Sequence, residues 1–280
     1  MINIDYIEIA RAVTVETGLG FSCRNGAKDG EQWIELKPIG YSKSNAFTIR
    51  ATIGWRHVEV LFIPGSFSGE LLKIMRNSSN ESRNLFVSIL NYSQEDGATV
   101  SLKIDNKSFD FKDDAFWGVE WLNLTFGFRV GQLNLSDDHE IDAQDIVRNW
   151  ISRMTAAVIS LMPMEGHEHD NEKYPEGASV TVQVNRYERD PRNRAAALSI
   201  HGYACKGCGL VMSDLYGDIA TGFIEVHHIK PVSVMGDNYL IDPVKDLLPL
   251  CPNCHSIVHR RKPPYTLNEL KEILAKERDK

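Results

Sequence analysis

Two Cys-x-x-Cys pairs constrain the fold of this chain more than any other feature of its sequence. They are Cys205 with Cys208 and Cys251 with Cys254, and they contain four of the five cysteines. A tight turn directs both thiolates of such a pair towards one ion, and zinc takes four ligands tetrahedrally. Two paired spacings are a strong zinc signal. The alternatives are two disulfides or free buried thiols, but no secretory leader is recognisable, which favours reduced thiols and hence zinc.

Histidines accompany these cysteines. His255 and His259 are four residues apart, directly after Pro252, so they share one face if the segment is helical. His227 and His228 are adjacent in a β-like stretch, where neighbouring side chains point to opposite faces. Because four cysteines saturate one zinc ion, the histidines indicate a second metal site. The alternative is that they only support the structural zinc.

The order of these elements resembles the HNH, or ββα-metal, endonucleases, in the branch whose finger is held by a four-cysteine zinc. The matching elements are Cys-x-x-Cys, Glu-Val-His-His-Ile-x-Pro and Asp-Leu-x-Pro-Leu-Cys-Pro-Asn-Cys-His-x-x-x-His. They lie between about Arg186 and Arg261, a little over a quarter of the chain. Chance similarity is an inadequate explanation for so many elements in the same order and spacing.

The resemblance implies a role for each matched residue. His228 is expected to be the general base. His227, His255 and His259 are expected to hold the catalytic divalent ion, Mg²⁺ or another metal. The middle asparagine of the family corresponds to Asp246, which is a departure because an ionised aspartate cannot donate a hydrogen bond. It is the second expected catalytic residue, near the carbonyl that orients the base.

Basic residues flank the motif on both sides. The net charge of −7 is unfavourable for DNA binding, but residues 186–280 contain 14 Lys+Arg and 12 Asp+Glu and therefore carry +2. Local patches decide nucleic-acid binding more than total charge does. For each patch the alternative is a solvated surface. The residues expected to contact phosphates are Arg186, Arg189, Arg192, Arg194, Arg260, Arg261 and Lys262.

The chain is predicted to be an α+β protein of two domains, which its length of 280 residues allows. Residues 1–162 are predicted to form a mixed α/β-sheet domain that recognises the target. Residues 163–180 are acidic and polar and are expected to be a linker. Residues 181–280 are expected to form the zinc-containing HNH nuclease domain.

Hydrophobic periodicity and turn residues predict the individual elements. Strands are expected at 33–36, 47–53, 56–63, 85–90, 99–104, 122–130 and 179–185. Helices are expected at 6–15, 68–75, 141–161, 193–202 and 267–277, the last with a capping box of Thr266 and Glu269.

Two classes of function follow. The first is a metal-dependent DNA endonuclease of restriction or defence type, acting on modified or foreign DNA that the N-terminal domain chooses. The second is a non-catalytic zinc-ribbon module that binds DNA or protein; a nuclease triggered by a small signal or a partner also stays open. The four histidines favour the first class, because a zinc ribbon needs only its cysteines.

The expected partner is double-stranded DNA, with or without base modification. No apolar run approaches the ~20 residues that span a bilayer, so no membrane partner is expected and a cytoplasmic location is the default. The sequence leaves open whether the chain forms a homodimer.

Overall fold

A computed structural model of the chain describes residues 2–41, 46–133, 140–162, 190–230 and 240–278. The predicted linker at 163–180 and the predicted strand at 179–185 lie outside the described residues. Arg186 and Arg189 lie outside them as well.

The described residues form runs of strands separated by helices, as in an α+β protein. The strands are β1 (Phe21–Lys28), β2 (Glu31–Pro38), β3 (Phe47–Ile53), β4 (Val58–Pro64), β5 (Thr99–Ile104), β6 (Lys107–Ser108), β7 (Leu124–Val130), β8 (Glu225–His228) and β9 (Leu247–Leu250). The helices are α1 (Tyr6–Thr17), α2 (Gly69–Arg76), α3 (Asn80–Glu95), α4 (Ala115–Gly118), α5 (Glu140–Ser160), α6 (Pro191–His201), α7 (Met212–Tyr216), α8 (Pro252–Val258) and α9 (Leu267–Arg278). None of the helices in this part of the chain combines the length and apolarity that a membrane span needs.

A seven-stranded antiparallel sheet, the large sheet, organises the N-terminal part of the described chain. Its strand order is β1-β2-β3-β4-β7-β5-β6. Along β3 the buried and half-buried residues alternate strictly, as they do in a strand with one face on a core. Helices α1, α3 and α5 contact the strands. The rings of Phe62 and Phe126 stack between neighbouring strands, 5.2 Å from centroid to centroid.

The strand predicted at 85–90 is wrong, because these residues lie within helix α3. Their buried members are Leu85, Phe86, Ile89 and Leu90, a spacing that forms one stripe on a helix. The hydroxyl of Ser79 accepts a hydrogen bond from the backbone N–H of Ser82 and caps the helix start. A short apolar run fits either structure, and here the cap and the core decide for a helix.

The other predicted elements within the described residues are present, with ends shifted by a few residues. Helix α1 ends at Gly18, whose φ of +72° is the left-handed conformation that glycine adopts without strain. The capping box of α9 is formed, since the N–H of Thr266 donates to Glu269 at 2.8 Å. Strand β1 is not predicted by its sequence, because it lacks alternating apolar residues.

Helix α6 packs on both parts of the protein. It contacts α1, α3 and α5 beside the large sheet, and it also contacts β9. Ala195 and Ala196 belong to the larger hydrophobic core, whereas Ala197 and Leu198 belong to a second core around the cysteines. The predicted domain boundaries stay a prediction, but this helix joins the two cores.

Polar groups strengthen the contact of α6 with the N-terminal helices. The buried Arg153 guanidinium donates to the carbonyl of Ser199 at 3.1 Å and to Asp96 at 2.5 Å. The hydroxyl of Tyr92 donates to the carbonyl of Ile200 at 3.3 Å. Hydrogen bonds from a charged donor are stronger than neutral ones, so these contacts fix the C-terminal end of α6.

A buried carboxyl group lies in the same interface. Glu16 at the end of α1 is 3% exposed, and the hydroxyl of Tyr203 donates to it. Burial raises the pKa of Glu16, although hydrogen bonds from Tyr203 and Ser152 and the charges of Arg148 and Arg194 act in the opposite direction. The desolvation of the carboxylate outweighs these interactions.

Replacing Glu16 with Gln is expected to change how stability depends on pH. With a raised folded-state pKa, the stability from the protonated carboxyl is fully present below the unfolded pKa of about 4.3 and is lost as pH rises through the folded pKa. The free energy of unfolding in urea, measured from about pH 4 to about pH 8, should fall less with rising pH in Glu16→Gln than in the wild type.

Glu70 on α2 is an exposed glutamate and provides the matched control. The Glu70→Gln variant should retain the pH dependence of the wild type. Parallel curves for Glu16→Gln and wild type would contradict the role assigned to the buried carboxyl.

Candidate metal centres and nuclease site

The first cysteine knuckle follows α6 and is attached to strand β9. The backbone N–H of Lys206 donates to the carbonyl of Pro249 at 2.9 Å. Gly209 has a φ of +82°, and a Cβ on Gly207 would lie 3.2 Å from the sulfur of Cys254. Both glycines are therefore needed, one for its conformation and one for its lack of a side chain.

The four cysteine sulfurs converge although no disulfide joins them. All lie within 4.8 Å of one another, and the sulfurs of Cys208 and Cys251 are 3.8 Å apart. Ligand sulfurs about 2.3 Å from a tetrahedral zinc ion are about 3.8 Å apart. The cluster of Cys205, Cys208, Cys251 and Cys254 therefore has the geometry of a zinc site.

The protonation of these thiols depends on their neighbours. Burial raises the pKa of Cys205, but hydrogen bonds from the backbone N–H groups of Gly207, Cys208 and Cys251 outweigh it and lower the pKa to about 7. Burial raises the pKa of Cys254, and the negative charge of Cys205 raises it further. Four such thiolates side by side need a cation between them.

The second cluster contains three histidines from β8 and α8. Strand β8 pairs with β9 and carries the buried His227, whereas His255 is in α8 and His259 directly follows its last turn. The Nε2 atoms of His255 and His259 are 3.3 Å apart. Nitrogen ligands about 2.0–2.1 Å from a tetrahedral ion lie about 3.3 Å apart. The ring of His227 completes the group, with one ligand nitrogen of each residue within 4.8 Å of the others.

The environment of His227 favours a neutral ring. Burial and the positive charges on His255, His259 and His228 together lower its pKa to about 3, and burial has the largest effect. The Nδ1 atom of His227 is buried and has no hydrogen-bond partner within the described part of the chain. A neutral imidazole is the form that binds metal, so this residue fits a divalent ion.

Glu225 is a further residue of the site, beyond those predicted from the sequence. Its carboxylate contacts Nδ1 of His255. Such a carboxylate fixes the tautomer and the orientation of a metal-binding imidazole. The signal was present in the sequence, because Glu225 and His227 are two residues apart on a strand and therefore share a face.

The two residues expected to be catalytic lie beside the histidine cluster and not within it. His228 is 3% exposed and pairs with Leu247 across the β8–β9 ladder. The carbonyl of Asp246 accepts the N–H of Ile229 at 2.9 Å, and its carboxylate accepts the N–H of Asp242 at 2.9 Å. The Asp246 side chain therefore orders the loop before β9 next to His228.

Two of the expected phosphate-binding arginines are engaged inside the protein. Arg194 donates to the carbonyls of Ile224 and Gly222 at 2.5 and 2.7 Å, and burial lowers its pKa. Arg192 binds Asp190 and donates to the hydroxyl of Ser82 at 2.7 Å. These contacts give both arginines a structural role, and their expected contacts with phosphates stay a prediction.

The basic residues after α8 differ from these. Arg260 and Lys262 are exposed close to His259 in the chain. Arg261 is also exposed, but it forms an ion pair with Glu269 at 2.8 Å and lies over the ring of Tyr265. Arg260 and Lys262 are therefore the members of this group that are best placed to meet a phosphate.

Comparisons with known proteins agree with this geometry. The HNH endonuclease family matches residues 205–261, so this part of the chain is an HNH endonuclease domain. A relative is the type IV methyl-directed restriction enzyme EcoKMcrA of Escherichia coli strain K12, which is 34% identical over 100 residues. The match covers 34% of this chain and 34% of that enzyme, so the chain spans about a third of the relative's length. No solved structure matches the chain.

Removing two cysteines should abolish the first metal site. The variant with Cys251→Ser and Cys254→Ser is expected to lose its zinc and the packing of β8, β9 and α8, because so small a core depends on the metal. Elemental analysis should detect zinc in the wild type and not in the variant. Cys23→Ser is the matched control, since Cys23 lies outside the cluster. A folded wild type without zinc would contradict this assignment.

Removing the Glu225 carboxylate should weaken the second site without destroying it. Glu225→Gln is expected to lower the affinity for a divalent ion by about 10- to 100-fold, because His255 loses its orienting partner. Isothermal titration with Mn²⁺ measures the effect while elemental analysis verifies that the zinc is retained. Glu272→Gln, on the exposed side of α9, should bind like the wild type. Equal affinities in all three proteins would mean that Glu225 does not orient the ligand.

Proposed function

We propose that this chain is a metal-dependent DNA endonuclease of the restriction type. The observation that carries the proposal is the convergence of His227, His255 and His259 inside an HNH domain, with ligand nitrogens within 4.8 Å of one another. A zinc ribbon without catalytic function would have no use for this second cluster, because its cysteines alone form its metal site.

Each residue of the site has a distinct part in the proposed reaction. His227, His255 and His259 would hold a divalent ion, Mg²⁺ or another metal. When bound, such an ion stabilises negative charge on the scissile phosphate and on the leaving oxygen. Glu225 orients the ring of His255 by its contact with Nδ1. These residues position the phosphate for hydrolysis.

His228 is proposed to act as the general base. A neutral imidazole near pH 7 can remove a proton from the water that attacks phosphorus. Its backbone is held by the β8–β9 ladder, and the N–H of the following residue, Ile229, donates to the carbonyl of Asp246. Asp246 is therefore proposed as a positioning residue that keeps the base in place, a role that needs only its acceptor groups.

Zinc is proposed for the four thiolates, where it would be structural. All four zinc ligands come from the protein, which leaves no open position for a substrate. The two metal sites share α8, since Cys254 and His255 are consecutive residues of that helix. The structural zinc would thus set the position of a catalytic ligand.

The proposed substrate is double-stranded DNA with modified bases. This part of the proposal is supported by the similarity to EcoKMcrA, whose name describes a methyl-directed restriction enzyme. Residues 1–162 are proposed to choose the target, because they show no cluster of metal-binding residues among those described. Arg260 and Lys262 are proposed to contact the phosphates near the histidine cluster.

The alternative is a nuclease that needs a small signal or a protein partner. Such a nuclease would cut no purified DNA of any modification state.

His228→Ala is expected to lower the cleavage rate by about 100- to 10,000-fold while zinc content and DNA binding stay at wild-type levels. Nicking of supercoiled DNA, measured in the presence of Mn²⁺ or Mg²⁺, gives the rate. His201→Gln is the matched control, since its amide can still donate to the carbonyl of Pro243, and it should cut like the wild type. A His228→Ala enzyme with near wild-type cleavage would show that another group is the base.

A further inference from the structure

The large sheet has one face on the core and one face towards solvent. In β2 the buried side chains are Ile34 and Leu36, and the residues between them, Trp33 and Glu35, point to the other side. The strand register carries this division across the sheet, since Glu35 pairs with Arg50, which pairs in turn with Leu61. We call this second side of the large sheet, which carries Trp33 and Glu35, the open face.

Basic residues dominate the open face. The register assigns six basic and three acidic side chains to it, a net charge of +3 in a chain whose total is −7. The basic residues are Arg24, Lys28, Lys37, Arg50, Lys103 and Arg129, and the acidic residues are Glu31, Glu35 and Glu59. Residues 1–162 as a whole contain 16 basic and 21 acidic residues, so their remaining surface carries the negative charge.

Cross-strand ion pairs neutralise two of the three acidic groups on this face. Arg50 contacts Glu35 at 3.1 Å, and Arg129 contacts Glu59 at 3.9 Å. Arg24 on strand β1 is exposed and lies opposite Glu35 on the neighbouring strand β2. The remaining positions of the open face are rich in hydroxyl groups, which donate hydrogen bonds to phosphates as basic groups do. These hydroxyl residues are Ser22, Thr48, Thr52, Thr99, Ser101, Ser108 and Thr125.

The turn between β3 and β4 displays a tryptophan at one end of the sheet. Trp55 is 84% exposed, and the guanidinium of Arg56 lies 5.9 Å from its ring centroid. The turn is held firmly, because the N–H of Gly54 donates to the carbonyl of His57 at 2.9 Å and the N–H of Leu133 donates to the carbonyl of Arg56 at 3.1 Å. Any Cβ on Gly54 would collide with the ring of His57, so the chain keeps this position free of a side chain.

We propose that the open face is the surface with which residues 1–162 bind duplex DNA, and that Trp55 stacks on a base extruded from that duplex. The proposal rests on the proposed function and names the part of the N-terminal region that would contact the target. Phosphates are attracted by the positive charge and the hydroxyls of the open face, whereas the acidic remainder of this region repels them. A tryptophan beside an arginine supplies the stacking platform that proteins use for bases.

The first test removes two charges from the open face of the full-length chain. The double variant with Arg24→Gln and Arg129→Gln is titrated with fluorescent duplex DNA over a range of KCl concentrations, without added divalent ion. Each phosphate contact contributes about 0.9 to the slope of log K against log salt, so the slope should fall by roughly 1.8. The control is the double variant with Arg11→Gln and Lys73→Gln, which removes the same charge from exposed positions on α1 and α2 and should retain the wild-type slope.

A second variant tests the stacking contribution separately. Trp55→Ala should weaken binding at least about fivefold, because base–aromatic stacking is lost. The salt slope should stay at the wild-type value, since no charge is removed. A structural defect would instead reduce the thermal midpoint, which is measured for every variant.

Three outcomes would overturn the proposal. Equal slopes for the open-face variant, the control and the wild type would exclude phosphate contacts on this face. An equal reduction of the salt slope in both double variants would show that DNA binding depends only on the total charge of the chain. If the wild type forms a dimer and the variant with Arg24→Gln and Arg129→Gln does not, the open face would bind a second copy of the chain and not DNA. Unchanged cutting by the open-face variant would leave the proposed nuclease function intact. A wild type that neither binds nor cuts DNA would contradict both the nuclease function and DNA binding by the open face.

Discussion

The convergence of four thiols determines the structure around the nuclease site. The C-terminal core is small, and its buried members include Cys205, Cys251 and Cys254. The first knuckle is hydrogen-bonded to β9, which pairs with β8, and the second knuckle begins α8. Both elements that present histidines, β8 and α8, are therefore held next to the cysteine cluster. A cation that joins these thiolates would supply the stability that so few apolar side chains cannot. The positions of the three clustered histidines would then depend on the cysteine site.

Helix α6 extends this dependence to the N-terminal part of the protein. Its alanines belong to one core and then to the other, and Arg153 and Tyr92 bind carbonyls at its end. The buried Glu16 and Tyr203 add a further contact between α1 and the segment after α6. Buried hydrogen bonds of this kind are costly to break. DNA held on the large sheet would therefore meet the histidine cluster at a fixed separation.

Much of the fold and the site could be predicted from local patterns, because their physics is local. The cysteine spacing determines the knuckles, and the pair Thr266 and Glu269 caps α9. The features that the sequence did not predict depend on tertiary contacts. The apolar run at 85–90 is compatible with a strand until its cap and core are known, and a basic run does not reveal that Arg194 donates to buried carbonyls. Glu225 was not predicted because its role in the site depends on its contact with His255.

The most direct test of the account is the digestion of the same plasmid prepared with methylated cytosine, with methylated adenine or without modification. Each DNA is incubated with the full-length chain and Mg²⁺, Mn²⁺ or a chelator. We expect cleavage that requires the divalent ion and that depends on the modification of the DNA. Equal cutting of all three substrates would contradict selection of the target by the N-terminal region. A complete lack of cutting with every metal and every DNA would contradict the proposal that the chain by itself cleaves modified DNA.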